Sequence, residues 1–187
     1  MLESSEYPSI PTIYRRDERG RVTSEYATPE IAYLADCDWT FTEKVDGTNI
    51  RVGWDGETIQ FGGRTERAQI PATLIARLQI LFRAENLQRV FPAPTTVCLY
   101  GEGYGAGIQS AGKLYNADGQ DFVLFDVRVG DGASWWLRRA DVEDVASKLG
   151  IRCVPVVGTG PLRTAIQMAY GGARSMWGSF TAEGLVL

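Results

Sequence analysis

Histidine is missing altogether from this 187-residue chain. That absence excludes the commonest general base, histidine-activated serine nucleophiles and His-ligated metal sites. Cysteine is scarce and odd in number: Cys37, Cys98 and Cys153, with no C-x-x-C pair. Neither a disulfide framework nor a zinc ribbon fits, so the thiols read as buried, small apolar residues. No run approaches the roughly 18 consecutive apolar residues of a bilayer span. The opening MLESSEYPSIPTIYRRDERGR lacks the charged start and apolar stretch of a signal peptide. An intracellular, cytoplasmic protein is expected. Lysine is the last shortage, with only Lys44, Lys113 and Lys148 against 16 arginines. Chemistry must then rest on lysine, carboxylates and a bound cation.

What is present is ordinary for a globular chain: 44% hydrophobic and 22% charged residues, expected to form one domain over 1–187. A formal charge of −4 argues against general nucleic-acid affinity. The cluster Arg15, Arg16, Arg19 and Arg21 is interrupted by Asp17 and Glu18, and reads as a solvated loop.

Short strand-like runs rich in Val, Ile, Phe, Tyr and Trp fall at 38–44, 48–54, 58–63, 96–102, 121–129, 133–137, 153–157 and 182–187. Asp-Gly pairs in WDGE (54–57) and GDGA (130–133) are hairpin signals. Apolar residues at 3–4 spacing predict one helix over 71–91, a second over 139–150 stopped by Gly150, and a third from Pro161 to a Gly pair. All three are expected to cover sheet faces in an α+β fold. GEGYGAG (101–107) is no dinucleotide fingerprint, because IQSAGKLYNADG does not read as a helix, and the Gly-Lys-Ser/Thr of a P-loop is absent. NADGQD (116–121) has Leu114 where a calcium loop needs its first acid, and reads as a turn.

Lys44 lies in FTEKVDGTNIRV (41–52), on a strand beside a Val-Asp-Gly turn. Unlike arginine, lysine can shed its proton when buried or set beside a cation, and can then attack an electrophile such as a nucleotide's α-phosphorus. Taken alone, the position equally suits a surface lysine on a hairpin. Its context is more specific. K-V-D-G-T-N (44–49) resembles the nucleotidyl-lysine motif of the covalent nucleotidyltransferases, which comprise DNA ligases, RNA ligases and mRNA capping enzymes. Three further blocks follow in that superfamily's order. VCLYGEGYGAG resembles the third motif, with Glu102 at its acid. DFVLFDVRV resembles the next, with Phe125 at the base-stacking ring and Asp126 after it. AEGLVL resembles the fourth, with Glu183 at its acid, and FGGRTER places Arg64 where the family has a nucleotide-contacting arginine.

The resemblance implies the superfamily's α+β fold, with antiparallel sheets flanked by helices around a nucleotide cleft. It implies Lys44 as the nucleophile, ATP as AMP donor, and Mg²⁺ held by Glu102 and Glu183 through its waters. Asp46, Gly47 and Asn49 belong to the lysine motif. Asn49 stands where DNA ligases and capping enzymes have arginine, and Glu43 precedes the lysine near the adenine edge. Both features are similar to the phage-type, nick-sealing RNA ligases. Such enzymes adenylylate the lysine, pass AMP to an RNA 5′-phosphate, and let a 3′-hydroxyl expel it. The family's fifth motif, a K-x-K pair, and its C-terminal domain have no counterpart before Leu187, where the chain stops within the fourth motif. A chain cut short and weak in sealing by itself is therefore expected. A non-catalytic nucleotide- or RNA-end-binding module, and a DNA-ligase or capping relative, stay open as alternatives.

Overall fold

The computed structural model describes residues 6–130 and 134–187. Its main sheet runs in the order β5-β4-β6-β7-β8, formed by Ile59–Gly62, Thr48–Trp54, Val97–Gly105, Gln120–Val129 and Trp135–Trp136. All of these pairings are antiparallel, and short β9 (Arg152–Cys153) adds to β7 in parallel. A three-stranded sheet has β3 (Trp39–Lys44) at its centre, flanked by β10 (Val156–Gly160) and β11 (Gly184–Val186). The α+β arrangement of antiparallel sheets and helices is the one expected.

Period-2 patterning puts Ile50, Val52 and Trp54 of β4 and Val97 and Leu99 of β6 on one face of the main sheet, where they are buried. Helices α2 (Ala72–Leu81), α3 (Ala84–Val90) and α5 (Arg139–Leu149) bury Leu74, Leu78, Leu87, Val142, Val145 and Leu149 in the same core. Gly150 ends α5 in the left-handed conformation at φ 67°, its N–H donating to Ala146 and Ser147. Helix α6 (Leu162–Tyr170) packs instead on β10 and β11.

The helix expected over 71–91 is two helices. Phe82 leaves α2 in an extended conformation and is 2% exposed, its ring edge-on to Phe122 at 5.2 Å. No glycine or proline marks the break, so burial of Phe82 overrides local propensity. Strand 153–157 is likewise split into β9 and β10 around Pro155. The arginine-rich segment is exposed as expected but belongs to a hairpin of β1 (Tyr14–Arg16) and β2 (Val22–Tyr26): Arg15 and Arg16 lie on β1, Arg19 and Arg21 in the turn, and Tyr14 stacks on Tyr26 at 5.5 Å. A one-turn helix, α4 (Gly112–Tyr115), forms where none was expected, and short α1 (Pro29–Tyr33) follows the hairpin. Cys98 is buried and Cys153 half-buried as free thiols, but Cys37 is exposed. The GDGA signal and the start of the 133–137 strand involve residues outside those described. No helix among the described residues is long and apolar enough to cross a membrane.

Position on α2 decides how costly a truncation is. Leu78 is fully buried and Ile80 is 57% exposed. Leu78→Ala is expected to cost about 2–5 kcal/mol and Ile80→Ala about 0.5 kcal/mol or less. Urea denaturation checks this, and equal costs would contradict the placement of the core.

Candidate nucleotide site

The other face of the main sheet looks toward the three-stranded sheet across a cleft of about 690 Å³. Lys44, Gly47, Asn49, Arg64, Glu102, Phe125 and Asp126 all line it. Lys44 comes from the end of β3, Asn49 from β4 and Glu102 from β6, where Asn49 and Glu102 are directly paired.

Strand β7 reaches the cleft through an irregularity. Asp126 pairs with Tyr100 and Leu124 with Gly101, so Phe125 is an extra residue between them. Such a bulge breaks alternation and re-aims a side chain. Leu124 and Val127 remain in the core while Phe125 and Asp126 both face the cleft. Strict alternation would have kept only one of that pair there.

Gly47 is a steric requirement. A Cβ added to it would stand 2.3 Å from the Gly103 carbonyl oxygen and 2.7 Å from Glu102 Cγ. Asp46 does not border the cavity; its Oδ2 accepts from the Ala111 N–H at 3.2 Å and pins the segment after β6. Arg64 is exposed, on a loop held by Arg51. Arg51 is fully buried, its Nε donating to the Gly63 carbonyl at 2.7 Å and its Nη2 pairing with Glu66 at 2.8 Å.

Two acids bracket Lys44. Glu183 stands just before β11, whose Gly184 pairs with Lys44, and its Oε1 accepts from Lys44 Nζ. Glu102 has its carboxyl raised to about 8. Burial is the main cause; Lys44 opposes it, and Glu183 and Asp46 add to it. Among the described residues no cluster of three or more His, Cys, Asp or Glu is arranged to hold a metal ion. A pair of carboxylates suits a hydrated, hard cation better than an all-protein cage. The Oδ1 of Asn49 is buried without a hydrogen-bond partner, leaving an acceptor beside Glu102.

Glu43 borders the cavity, and its carboxylate is taken up by protein donors. It is 2% exposed and accepts from Ser175 Oγ at 2.6 Å, the Met176 N–H at 2.7 Å and Tyr115 OH at 3.4 Å. Sequence reading missed Tyr7, Arg139 and Gln109, which also line the cleft. Tyr7 donates to Asp126 Oδ2 at 2.5 Å and sets its ring edge-on to Phe125 at 5.0 Å. Nothing local in EYPSI signals a partner 119 residues away.

The antiparallel sheets flanked by helices have the RNA-ligase, nucleotidyltransferase-type fold. The RNA ligase family model matches residues 38–187, and the chain belongs to that family. Comparison with curated proteins finds no match. Solved structures of a Naegleria gruberi RNA ligase share the fold. A mutant with ATP and Mn is 24% identical with a TM-score of 0.69, covering 94% of this chain and 53% of that one. A mutant with AMP and Mn is 24% identical with a TM-score of 0.68, covering 84% and 48%. The protein with PPi is 23% identical with a TM-score of 0.69, covering 96% and 57%. The present chain thus spans about half the length of those ligases.

The raised carboxyl of Glu102 couples stability to pH. The folded chain holds that proton more tightly than the unfolded chain, whose glutamate titrates near 4.5. The stabilisation it gives is complete below pH 4.5 and is lost as pH rises toward about 8. Chemical denaturation across this range should show Glu102→Gln flattening the decline. A stability that does not fall between pH 4.5 and about 8, or a fall that Glu102→Gln leaves unchanged, would contradict the raised Glu102 carboxyl.

Proposed function

We propose that the chain is the adenylyltransferase domain of an ATP-dependent RNA ligase, with Lys44 as its nucleophile. The observation that carries this reading is the position of Lys44. Its amine is fixed by Glu183, near Glu102, in a cleft that also presents Phe125, Arg64 and the unpartnered Asn49 Oδ1. Family membership and the ATP, AMP and PPi of the Naegleria structures support it.

Lys44 Nζ forms a bond to the α-phosphorus of ATP while the P–O bond to the β-phosphate breaks and pyrophosphate leaves. Glu183 Oε1 already accepts from that amine, which orients it and places an acceptor for the proton it sheds. Phe125 stacks on the adenine, Arg64 meets the phosphates, and Asn49 accepts a hydrogen bond from the nucleotide. Glu102 and Glu183 would hold a divalent cation, which would supply charge neutralisation on the phosphate oxygens. AMP then passes from Lys44 to an RNA 5′-phosphate. A 3′-hydroxyl attacks that activated phosphate, a phosphodiester forms, and AMP departs.

Incubation with ATP and Mg²⁺ should raise the intact mass by one AMP, about 329 Da, and Lys44→Ala or Lys44→Arg should abolish the gain. Reversible ATP binding without an adduct would instead mark a nucleotide-binding module. An adduct from GTP in preference to ATP would mark a capping-type relative.

A further inference from the structure

Glu183 is held at Lys44 by a short element. Strand β11 has three residues and lies at the edge of a three-stranded sheet. Pairing of that length is weak by itself. The segment just before Glu183 therefore matters for where the acid stands.

Residues 173–182 form a small ladder: Ala182 N–H donates to the Ala173 carbonyl, Ser175 N–H to that of Phe180, and Arg174 bridges Thr181. Its tip is fastened to β3 through the Glu43 carboxylate. Ser175, 7% exposed, donates its hydroxyl to Glu43 Oε1 at 2.6 Å, and the Met176 N–H donates to Oε2 at 2.7 Å. Ser175 Oγ also accepts from the Trp177 N–H at 3.0 Å, so one hydroxyl both fixes the turn and ties it down. Trp177 in turn lies under the Arg152 guanidinium at 4.7 Å and edge-on to Tyr104 at 5.0 Å.

Successive residues of β3 are thus gripped by the two parts of one segment. Glu43 holds its tip on one face of the strand, and Lys44 meets Glu183 on the other. We propose that Ser175 and the Met176 amide form a latch on the Glu43 carboxylate that positions Glu183 against Lys44, making Ser175 a positioning residue for lysine adenylylation. The proposal rests on the ligase reading for its chemistry, and on the contacts alone for its mechanics. Burial accounts for the choice of carboxylate: a group 2% exposed must have its lone pairs met inside the protein, and charge-assisted bonds to it are the stronger kind.

The test uses Ser175→Ala, Glu183→Gln and the double variant in the full chain. Single-turnover formation of lysyl-AMP should slow about tenfold in Ser175→Ala, the middle of the range for groups sharing one network. ATP binding, followed by equilibrium titration, should be unchanged. With Glu183→Gln already present, adding Ser175→Ala should slow the reaction less than about twofold, because the latch acts through that acid. Equal slowing in both backgrounds, or none in either, would overturn the proposal. Hydrogen exchange supplies a readout independent of activity. The amides of Gly184–Val186 should exchange faster in Ser175→Ala than in wild type, while the β4–β6 amides keep their protection. Unchanged exchange at β11 would reject the latch. Wild-type protein forming no lysyl-AMP, with β11 loosened in Ser175→Ala, would reject the ligase reading and leave the latch as a structural tie.

Discussion

Everything at the cleft depends on the pairing of β11 with β3. It brings Glu183 beside Lys44 across 139 residues of sequence, and Lys44 Nζ donates to that carboxylate. A lone lysine on a strand end would be a mobile, solvated cation of little chemical use. The second acid, Glu102, comes from the other sheet, where burial holds its carboxyl protonated around neutrality. The site is therefore an electrostatic arrangement shared between two sheets. Neither sheet contains it alone.

The main sheet is devoted to presentation. Its core face is filled by Ile50, Val52, Leu99, Leu124 and helix residues such as Leu78, which makes it a rigid support. Its cleft face carries Asn49, Glu102 and, through the bulge, Phe125 and Asp126. Glycine permits the close approach of the layers. A side chain at Gly47 would collide with Gly103 and Glu102, which is why the residue following Asp46 has none. Arg51, buried beneath, carries the loop that offers Arg64.

Much of this was legible in the sequence because it is local. Alternating apolar residues placed β4, β6 and β7 within a few positions, and Gly150 marked the end of α5. The order of the motif blocks around Lys44, Glu102, Phe125 and Glu183 pointed to the family. What stayed hidden depends on distant contacts. The break after Leu81 follows from packing of Phe82 against Phe122, and the hairpin at 14–26 sits behind a mixed-charge run that looks solvated. The anchoring of Glu43 was hidden for the same reason, since its partners lie 132 and 133 residues away. The bulge left a faint trace, because Leu124 and Val127 are core residues at a spacing that a regular strand cannot give.

The central claim is that Lys44 is the atom donor to phosphorus. A crystal structure determined after incubation with ATP and a divalent cation addresses it directly. Continuous density from Lys44 Nζ to the α-phosphorus, with the adenine against Phe125, is the predicted result. Intact ATP beside an unmodified Lys44, or AMP carried by another residue, would contradict the account.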